Sequence, residues 1–429
     1  MGIEYYETWE VLTLEKIYIS GGKPLMGQIK VQGSKNAVLP ILAATLLTDD
    51  TCVIKNCPDL TDVRASFEIL KSLGCKVSYN GETATINTAS AFETKISDEL
   101  MQTMRSSVMF LGALLGKCKK ACISYPGGCA LGARPIDIHL DNMKRLGVSL
   151  QESGECINCF IEKFIPQKIT LMFPSVGATE NLMLLCAISK GETILLNVAR
   201  EPEIVDLQDF LNSMGADIKG AGTDVIRING VKKLHGCTYT VIPDRIVAAT
   251  FACGTVACGG EVILDDTVPE HLQIFISVLR DMGAEICEEK NKLYVKMACR
   301  PKPVPSVKTL PYPGFPTDIQ PLLMAAVLKA EGTSVFSETI FENRFKHVGE
   351  FLRMGADIKV EGMNAIVRGR NIHGAKVHAA DLRGGAALVI AGLSCDGETV
   401  VDNIRYINRG YENIAESFKN LGGDIRTIQ

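Results

Sequence analysis

The sequence predicts an α/β protein of two domains, each built from three βαβαββ repeats with the helices buried at the centre and the sheets outside. Three observations predict it. An apolar helix face closing on Leu or Met and then Gly recurs six times, at Gly74, Gly147, Gly215, Gly283, Gly355 and Gly422, with spacings of 73, 68, 68, 72 and 67 residues. A small-residue apolar stretch stands upstream of each copy. The 429-residue length exceeds what one core accommodates and fits two or three domains at roughly 150 residues each.

Each unit opens with an Ala-rich stretch that runs through a turn into a β-branched segment. The copies read AVLPILAATLLTDDTCVIKN, FLGALLGKCKKACISY, NLMLLCAISKGETILLN, ATFACGTVACGGEVILD, PLLMAAVLKAEGTSVFSE and ALVIAGLSCDGETVVDN. That order is helix, turn, strand. These helices carry little polar surface, as helices buried all round do. The second helix of each unit ends at the repeat glycine, which takes the C′ position where positive φ is needed. A strand follows, then a turn such as Gly220-Ala221-Gly222 and a second strand. One more strand joins successive units. Three units enclose one helical core, so six make two domains. The repeat explains architecture; chemistry belongs where single copies depart from it.

Composition narrows the function classes. The chain is 46% hydrophobic and 22% charged, which is that of a globular protein with large cores. A net charge of −4, a pI near 6.0 and 6% aromatic residues provide neither a basic stripe nor a stacking platform, so no nucleic acid or anionic membrane partner is expected. No segment approaches the roughly 18 apolar residues of a membrane span, and the opening MGIEYYETWEVLTLEK lacks a basic start and an apolar run, so a cytoplasmic location is expected. Fifteen cysteines fall mostly singly on apolar segments, as reduced thiols do. Cys156-Ile157-Asn158-Cys159 is a lone CxxC without the further ligands zinc requires, and reads as an incidental pair in a turn or short strand. The six histidines are dispersed. Neither a metal site nor an organic cofactor is expected.

The second copy departs most from the repeat. Its strand runs into Pro126-Gly127-Gly128-Cys129-Ala130-Leu131-Gly132-Ala133-Arg134-Pro135, a segment suited to a specially shaped loop. A thiol on such a loop, five residues from Arg134, can act as proton donor or nucleophile, whereas a cysteine elsewhere is ordinarily a small core residue. GGCALG has neither the dinucleotide nor the P-loop register. The other departures place basic residues at turns: Lys35 beside Asn36, then Arg105, Arg200, Arg344, Arg383 and Arg409. As a set they suit phosphate or carboxylate groups in an interdomain cleft. Asp318, just before the fifth buried helix, reads either as a helix cap or as a general base.

PGGCALGARP, with QGSKNAVLP, PSVGATEN, AREPEIVDL, PGFPTDIQ, ETIFENRFKHV, DLRGGAALV and INRGYENI, closely resembles the UDP-N-acetylglucosamine enolpyruvyl transferase family, in order from about Glu15 onward. The resemblance implies two inside-out α/β domains of the enolpyruvyl transferase fold. Residues 34–242 would form the first, 1–33 plus 243–429 the second, with the active site between them. It implies transfer of the enolpyruvyl group of phosphoenolpyruvate to the 3′-hydroxyl of UDP-N-acetylglucosamine, the first committed step of peptidoglycan synthesis, by addition and elimination. Those two small molecules are the implied partners.

By the same resemblance Cys129 protonates C3 of phosphoenolpyruvate and is the target of fosfomycin. Lys35, Arg134 and Arg409 surround the phosphate and carboxylate, and Asp318 takes the hydroxyl proton. Asn36, Arg105, Pro135, Ile136, Asp137, Ile138, Ser175, Val176 and Ile340 hold the UDP-sugar, and Arg344, Asp381 and Arg383 support the site. Val247, Ala249 and Phe173 depart from the commoner pattern, which bears on the uridine side. The shikimate 3-phosphate enolpyruvyl transferases share fold and co-substrate, but the PGGC, ENRF and DLR motifs favour the UDP-sugar family.

Overall fold

In the computed structural model, which describes residues 15–90, 93–125, 136–154 and 156–428, the first five repeats adopt the predicted order of elements and the sixth takes one of its strands from residues 16–20. In the first, helix Lys35–Ala44 leads to strand Thr51–Lys55, helix Thr61–Ser72 and the strands Lys76–Tyr79 and Ala84–Asn87. The other five small-residue helices are Met109–Cys118, Val176–Ala187, Arg245–Cys258, Gln320–Val327 and Leu382–Ser394. They are buried nearly all round; in the fourth, every residue from Arg245 to Ala257 is covered. Close approach requires small residues: a Cβ on Gly112 would lie 2.2 Å from the Asn181 carbonyl oxygen. Asn181 joins the two helices that meet there, accepting from the Gly112 amide at 2.6 Å and donating to the Val108 carbonyl at 2.8 Å.

The six repeat glycines lie between φ +83° and +98°, the region that a Cβ disfavours. A second recurring device is not evident from the spacing. The residue after the central strand is left-handed in four copies, at Asn56, Asn197, Asp266 and Asn403, with φ of +53° to +56°. Asn and Asp tolerate that conformation best among residues with a side chain. Copies two and five have Tyr125 and Glu338 there, without positive φ, and both strands lead into the segments that carry site motifs.

The sheets share one plan: a central strand takes a parallel strand on one edge and antiparallel strands on the other. In the second repeat the parallel edge shrinks to a single bridge between Lys95 and Cys122, leaving three strands. On the strand Cys156–Ile161, Cys156 and Cys159 stand three residues apart and so point to opposite faces, which makes the CxxC incidental.

Strand pairing also reveals the chain path. Lys16–Ser20 lies between Glu398–Asp402 and Asp424–Ile428 in the sixth repeat, and Leu25–Lys30 forms the parallel edge beside Gly260–Asp265 in the fourth. Thr238–Thr240 returns to the first repeat, parallel to Thr51–Lys55. Buried apolar residues accordingly form two separate cores, one from residues 37–241 and one from 17–31 with 246–425. The chain crosses between them twice at adjacent points. Gly33 bridges Pro243, the Ser34 amide donates to the Ile242 carbonyl at 2.8 Å and the Asp244 amide to the Gln32 carbonyl at 2.9 Å. A Cβ on Gly33 would fall 1.8 Å from the Asn56 carbonyl oxygen, so the crossing demands glycine. Among the described residues no helix is long and apolar enough to cross a membrane.

Candidate active site

Lys35 is the first residue of its helix, an unfavourable place for a cation because the helix dipole is positive there. Asp62, from helix Thr61–Ser72, offsets this: its Oδ2 meets Lys35 Nζ at 2.7 Å. The same carboxylate holds Arg409, from the second core, with Nε on Oδ1 at 2.9 Å and Nη2 on Oδ2 at 3.1 Å. Two cations thus share one buried anion, leaving net positive charge for an incoming anionic ligand. Burial, with Arg409 and Arg383 nearby, lowers the Lys35 ammonium from its ordinary value against the pull of Asp62. Burial alone would raise Asp62, but Lys35 and Arg409 hold its carboxyl below the usual range.

A second ionic group is built from three later elements. Asp318 presents Oδ1 to Arg344 Nη2 at 2.9 Å and Oδ2 to Arg383 Nε at 3.3 Å. It does not cap the following helix, whose N-cap is Ile319. Asp381 and Asp244, at the corresponding places in the sixth and fourth repeats, do cap: Asp381 accepts from the Arg383 and Gly384 amides, and Asp244 from those of Ile246 and Val247. Asp244 Oδ2 also accepts from the Lys35 amide at 3.2 Å, which joins this group to Lys35. The Arg344 guanidinium donates twice to the Thr317 carbonyl. Buried Glu338 ties the surrounding loops together through Thr309 Oγ1, Thr317 Oγ1 and the amides of Ile340 and Phe341, at 2.8 to 3.1 Å. Behind Asp381 lies His347, buried and held near 4 by burial, hence neutral at physiological pH.

Thr317 and Asp318 of the second group line a cavity of about 500 Å³ between the two cores, whereas Lys35, Arg409, Arg344, Asp381 and Arg383 are not among its lining residues and reach it only through their partners. Of the residues singled out in the sequence, Asn36, Arg105, Ile138, Ser175, Val176, Asp318 and Ile340 line it. Ser175 caps helix Val176–Ala187 by accepting from the Ala178 amide, and Ser175, Val176 and Gly177 line the cavity, so the positive end of that helix dipole borders it, which suits an anionic group. His139 also lines it and is neutral, pushed down to about 4 by burial and then by Arg105.

Other expectations need adjustment. Ile136 is buried and Asp137 exposed, and neither lines the cavity. Arg200 is exposed and stands apart from the lining residues. Val247 and Ala249 pack in the second core, whereas Phe173 does line the cavity. Cys129, Arg134 and Pro135 lie outside the described residues. Sequence reasoning passed over Asp62, Asp244 and Glu338, and also Glu180, Glu201, Glu203 and Arg245 in the cavity wall. One signal was present: Glu180 is an acid inside a helix that is otherwise almost wholly apolar.

The family model of EPSP synthase (3-phosphoshikimate 1-carboxyvinyltransferase) matches residues 19–418. UDP-N-acetylglucosamine 1-carboxyvinyltransferase 2 of Caldanaerobacter subterraneus subsp. tengcongensis is 52% identical over 416 residues, 96% of this chain and 99% of that protein. The enzyme of the same name from Carboxydothermus hydrogenoformans is 47% identical, covering 97% of this chain and 100% of the relative. Among solved structures, the enolpyruvyl transferase NikO from Streptomyces tendae superposes with a TM-score of 0.88 at 26% identity, over 97% of this chain and 99% of that one. An EPSP synthase from Acinetobacter baumannii shares the fold, with a TM-score of 0.75 at 18% identity over 97% of this chain and 100% of its own. Six repeats around two cores, a cationic cleft and near full-length identity lead to one conclusion: the chain belongs to the EPSP synthase family of carboxyvinyl transferases, among its UDP-N-acetylglucosamine 1-carboxyvinyltransferases.

Proposed function

We propose that this protein transfers the enolpyruvyl group of phosphoenolpyruvate to the 3′-hydroxyl of UDP-N-acetylglucosamine and releases phosphate, as the committed step of peptidoglycan synthesis in the cytoplasm. The observation that carries the reading is 52% identity over 416 residues to a relative named for that reaction. The cleft chemistry supports it, since a substrate pair rich in phosphate and carboxylate matches a cavity lined by Arg105 and Asp318, with Arg344 and Arg383 bound to Asp318 and Lys35 and Arg409 paired on Asp62.

In this reading residues 34–242 form one domain and 1–33 with 243–429 the other, each around its own core. Asp318, oriented by two guanidiniums, takes the proton of the 3′-hydroxyl as its oxygen bonds to C2 of phosphoenolpyruvate. Cys129, assigned by its motif, gives a proton to C3, which yields a tetrahedral intermediate. Loss of a proton from C3 and departure of phosphate from C2 then form the enol ether. Lys35, Arg409 and Arg134 neutralise the phosphate and carboxylate through both steps. Asn36, Arg105, Pro135 to Ile138, Ser175, Val176 and Ile340 hold the UDP-sugar, with Arg344, Asp381 and Arg383 keeping Asp318 in place.

Phosphate release in the presence of phosphoenolpyruvate tests the assignment. Release with UDP-N-acetylglucosamine and none with shikimate 3-phosphate is the expected outcome; the reverse overturns the substrate. Fosfomycin should add one mass increment, on the peptide that contains Cys129.

A further inference from the structure

Four cavity-lining residues have no part in the chemistry above: Glu180, Glu201, Glu203 and Arg245. Glu180 is one turn inside helix Val176–Ala187, and Glu201 and Glu203 open helix Pro202–Ser213, all three on the side of the first core. Arg245 begins helix Arg245–Cys258 on the side of the second. Its Nε and Nη2 grip the two oxygens of Glu203 at 3.0 and 3.3 Å. The guanidinium carbon lies 5.6 Å from the centre of the Tyr312 ring, and the Tyr312 amide donates to Glu201 Oε1 at 3.4 Å. These contacts tie the two walls of the cavity together.

Three acids face one cation in a place with little water. Glu180 is 3% exposed, Glu203 2% and Arg245 9%. Glu203 occupies two donors of the guanidinium fork. Glu180 Oε1 and Glu201 Oε2 are buried and have no hydrogen-bond partner among the described residues, and the same holds for Arg245 Nη1. A charged oxygen with no donor, beside two further carboxylates, is strongly disfavoured, whereas a neutral acid is tolerated there.

We propose that the cluster is a latch between the two walls of the cavity and that Glu180 is its positioning residue: only as an uncharged acid does it leave Glu203 and Glu201 to hold Arg245 and Tyr312. Ionising Glu180 pits a further negative charge against the pair, opens the latch and weakens binding of the nucleotide-sugar.

Burial, with Glu203 and Glu201 beside it, pushes Glu180 well above the ordinary glutamate range, and burial raises Glu201 as well. Asp206, on the helix that carries Glu203 and pushed up to about 7 by burial, and Glu201 are common to wild type and to every Glu180 variant, so a difference between those proteins isolates Glu180. His271, which faces Glu203 and Arg245, is lowered by burial, and His139 is held near 4. Tyr312 is raised by burial and keeps its proton. Arg105 and Arg245 stay charged throughout.

The test uses the whole protein as wild type, Glu180→Gln and Glu180→Met, first without ligand. A buried acid with a raised value binds a proton that the unfolded chain releases, so wild type should lose stability relative to both variants as pH rises from about 5 until Glu180 ionises in the folded state. The melting gap should move by up to about 3–5 °C per pH unit. A gap that does not move with pH overturns the uncharged Glu180. Above that ionisation the radius of gyration from small-angle X-ray scattering should grow in wild type and stay constant in both variants; equal growth in all three overturns the latch.

The kinetic consequence rests on the substrate proposed above. The KM for UDP-N-acetylglucosamine should rise in wild type by up to about tenfold per pH unit beyond the ionisation and remain flat in the variants. A rise retained by the variants overturns the coupling to binding. Melting and scattering that behave as described in a protein without turnover of that sugar would leave the latch standing and remove the substrate reading instead.

Discussion

Asp62 is a buried anion between two cations from different cores. Asp62→Asn leaves both partners without it, and breaking such a group costs about 3–5 kcal/mol. Urea unfolding should register that loss, with a rise in KM for phosphoenolpyruvate as Lys35 and Arg409 drift. The pH dependence has a definite sign. Because the folded carboxyl is held below its ordinary 3.8, its contribution is present above about pH 4 and disappears as pH falls through the folded value, so the gap between wild type and Asp62→Asn should close in acid. Asp318→Asn should lower kcat by about 10²–10⁴ and also reduce melting, since two buried guanidiniums lose their shared carboxylate. Asp381→Ala, which removes a helix cap, should cost about 1 kcal/mol in stability as well as activity. The motif around Asp318 was legible in the sequence, but its partners were not. Arg344 and Arg383 reach it from elements 26 and 65 residues away, and only tertiary packing brings those together.

The repeat glycines test what the elements require. Gly283 has φ +98° with no atom within 4 Å of an added Cβ, so Gly283→Ala incurs only backbone strain, about 1–2 kcal/mol by denaturant unfolding. At Gly33 the Cβ would meet a carbonyl oxygen at 1.8 Å, and Gly33→Ala should prevent a soluble native fold or reduce melting far more than Gly283→Ala does. This contrast explains why the repeat could be read from sequence. A positive φ after a helix is a local demand, met locally by glycine. The left-handed Asn and Asp residues after the central strands meet a similar demand, yet four instances with mixed chemistry are hard to see without coordinates.

At the scale of the molecule, the periodicity showed six units but not that the sixth borrows a strand from residues 16–20. A sheet partner about 400 residues away leaves no trace in local pattern. The family resemblance supplied the crossing, and the paired segments around Gly33 and Pro243 show its physical form. If the cores are independent, residues 34–242 expressed alone should unfold cooperatively in urea, whereas 243–429 should not unless residues 15–33 are supplied.

The borrowed strand has a consequence for synthesis on the ribosome. Residues 16–30 emerge well before their partners Gly260–Asp265, Glu398–Asp402 and Asp424–Ile428, the last of which follows about 400 residues later. The intervening half has all its strands by residue 240 and can condense while this leading segment still has unpaired edges. This early segment is therefore protected late. It presents a sticky β-edge throughout translation, and a factor that shields nascent chains would find its longest-lived target there.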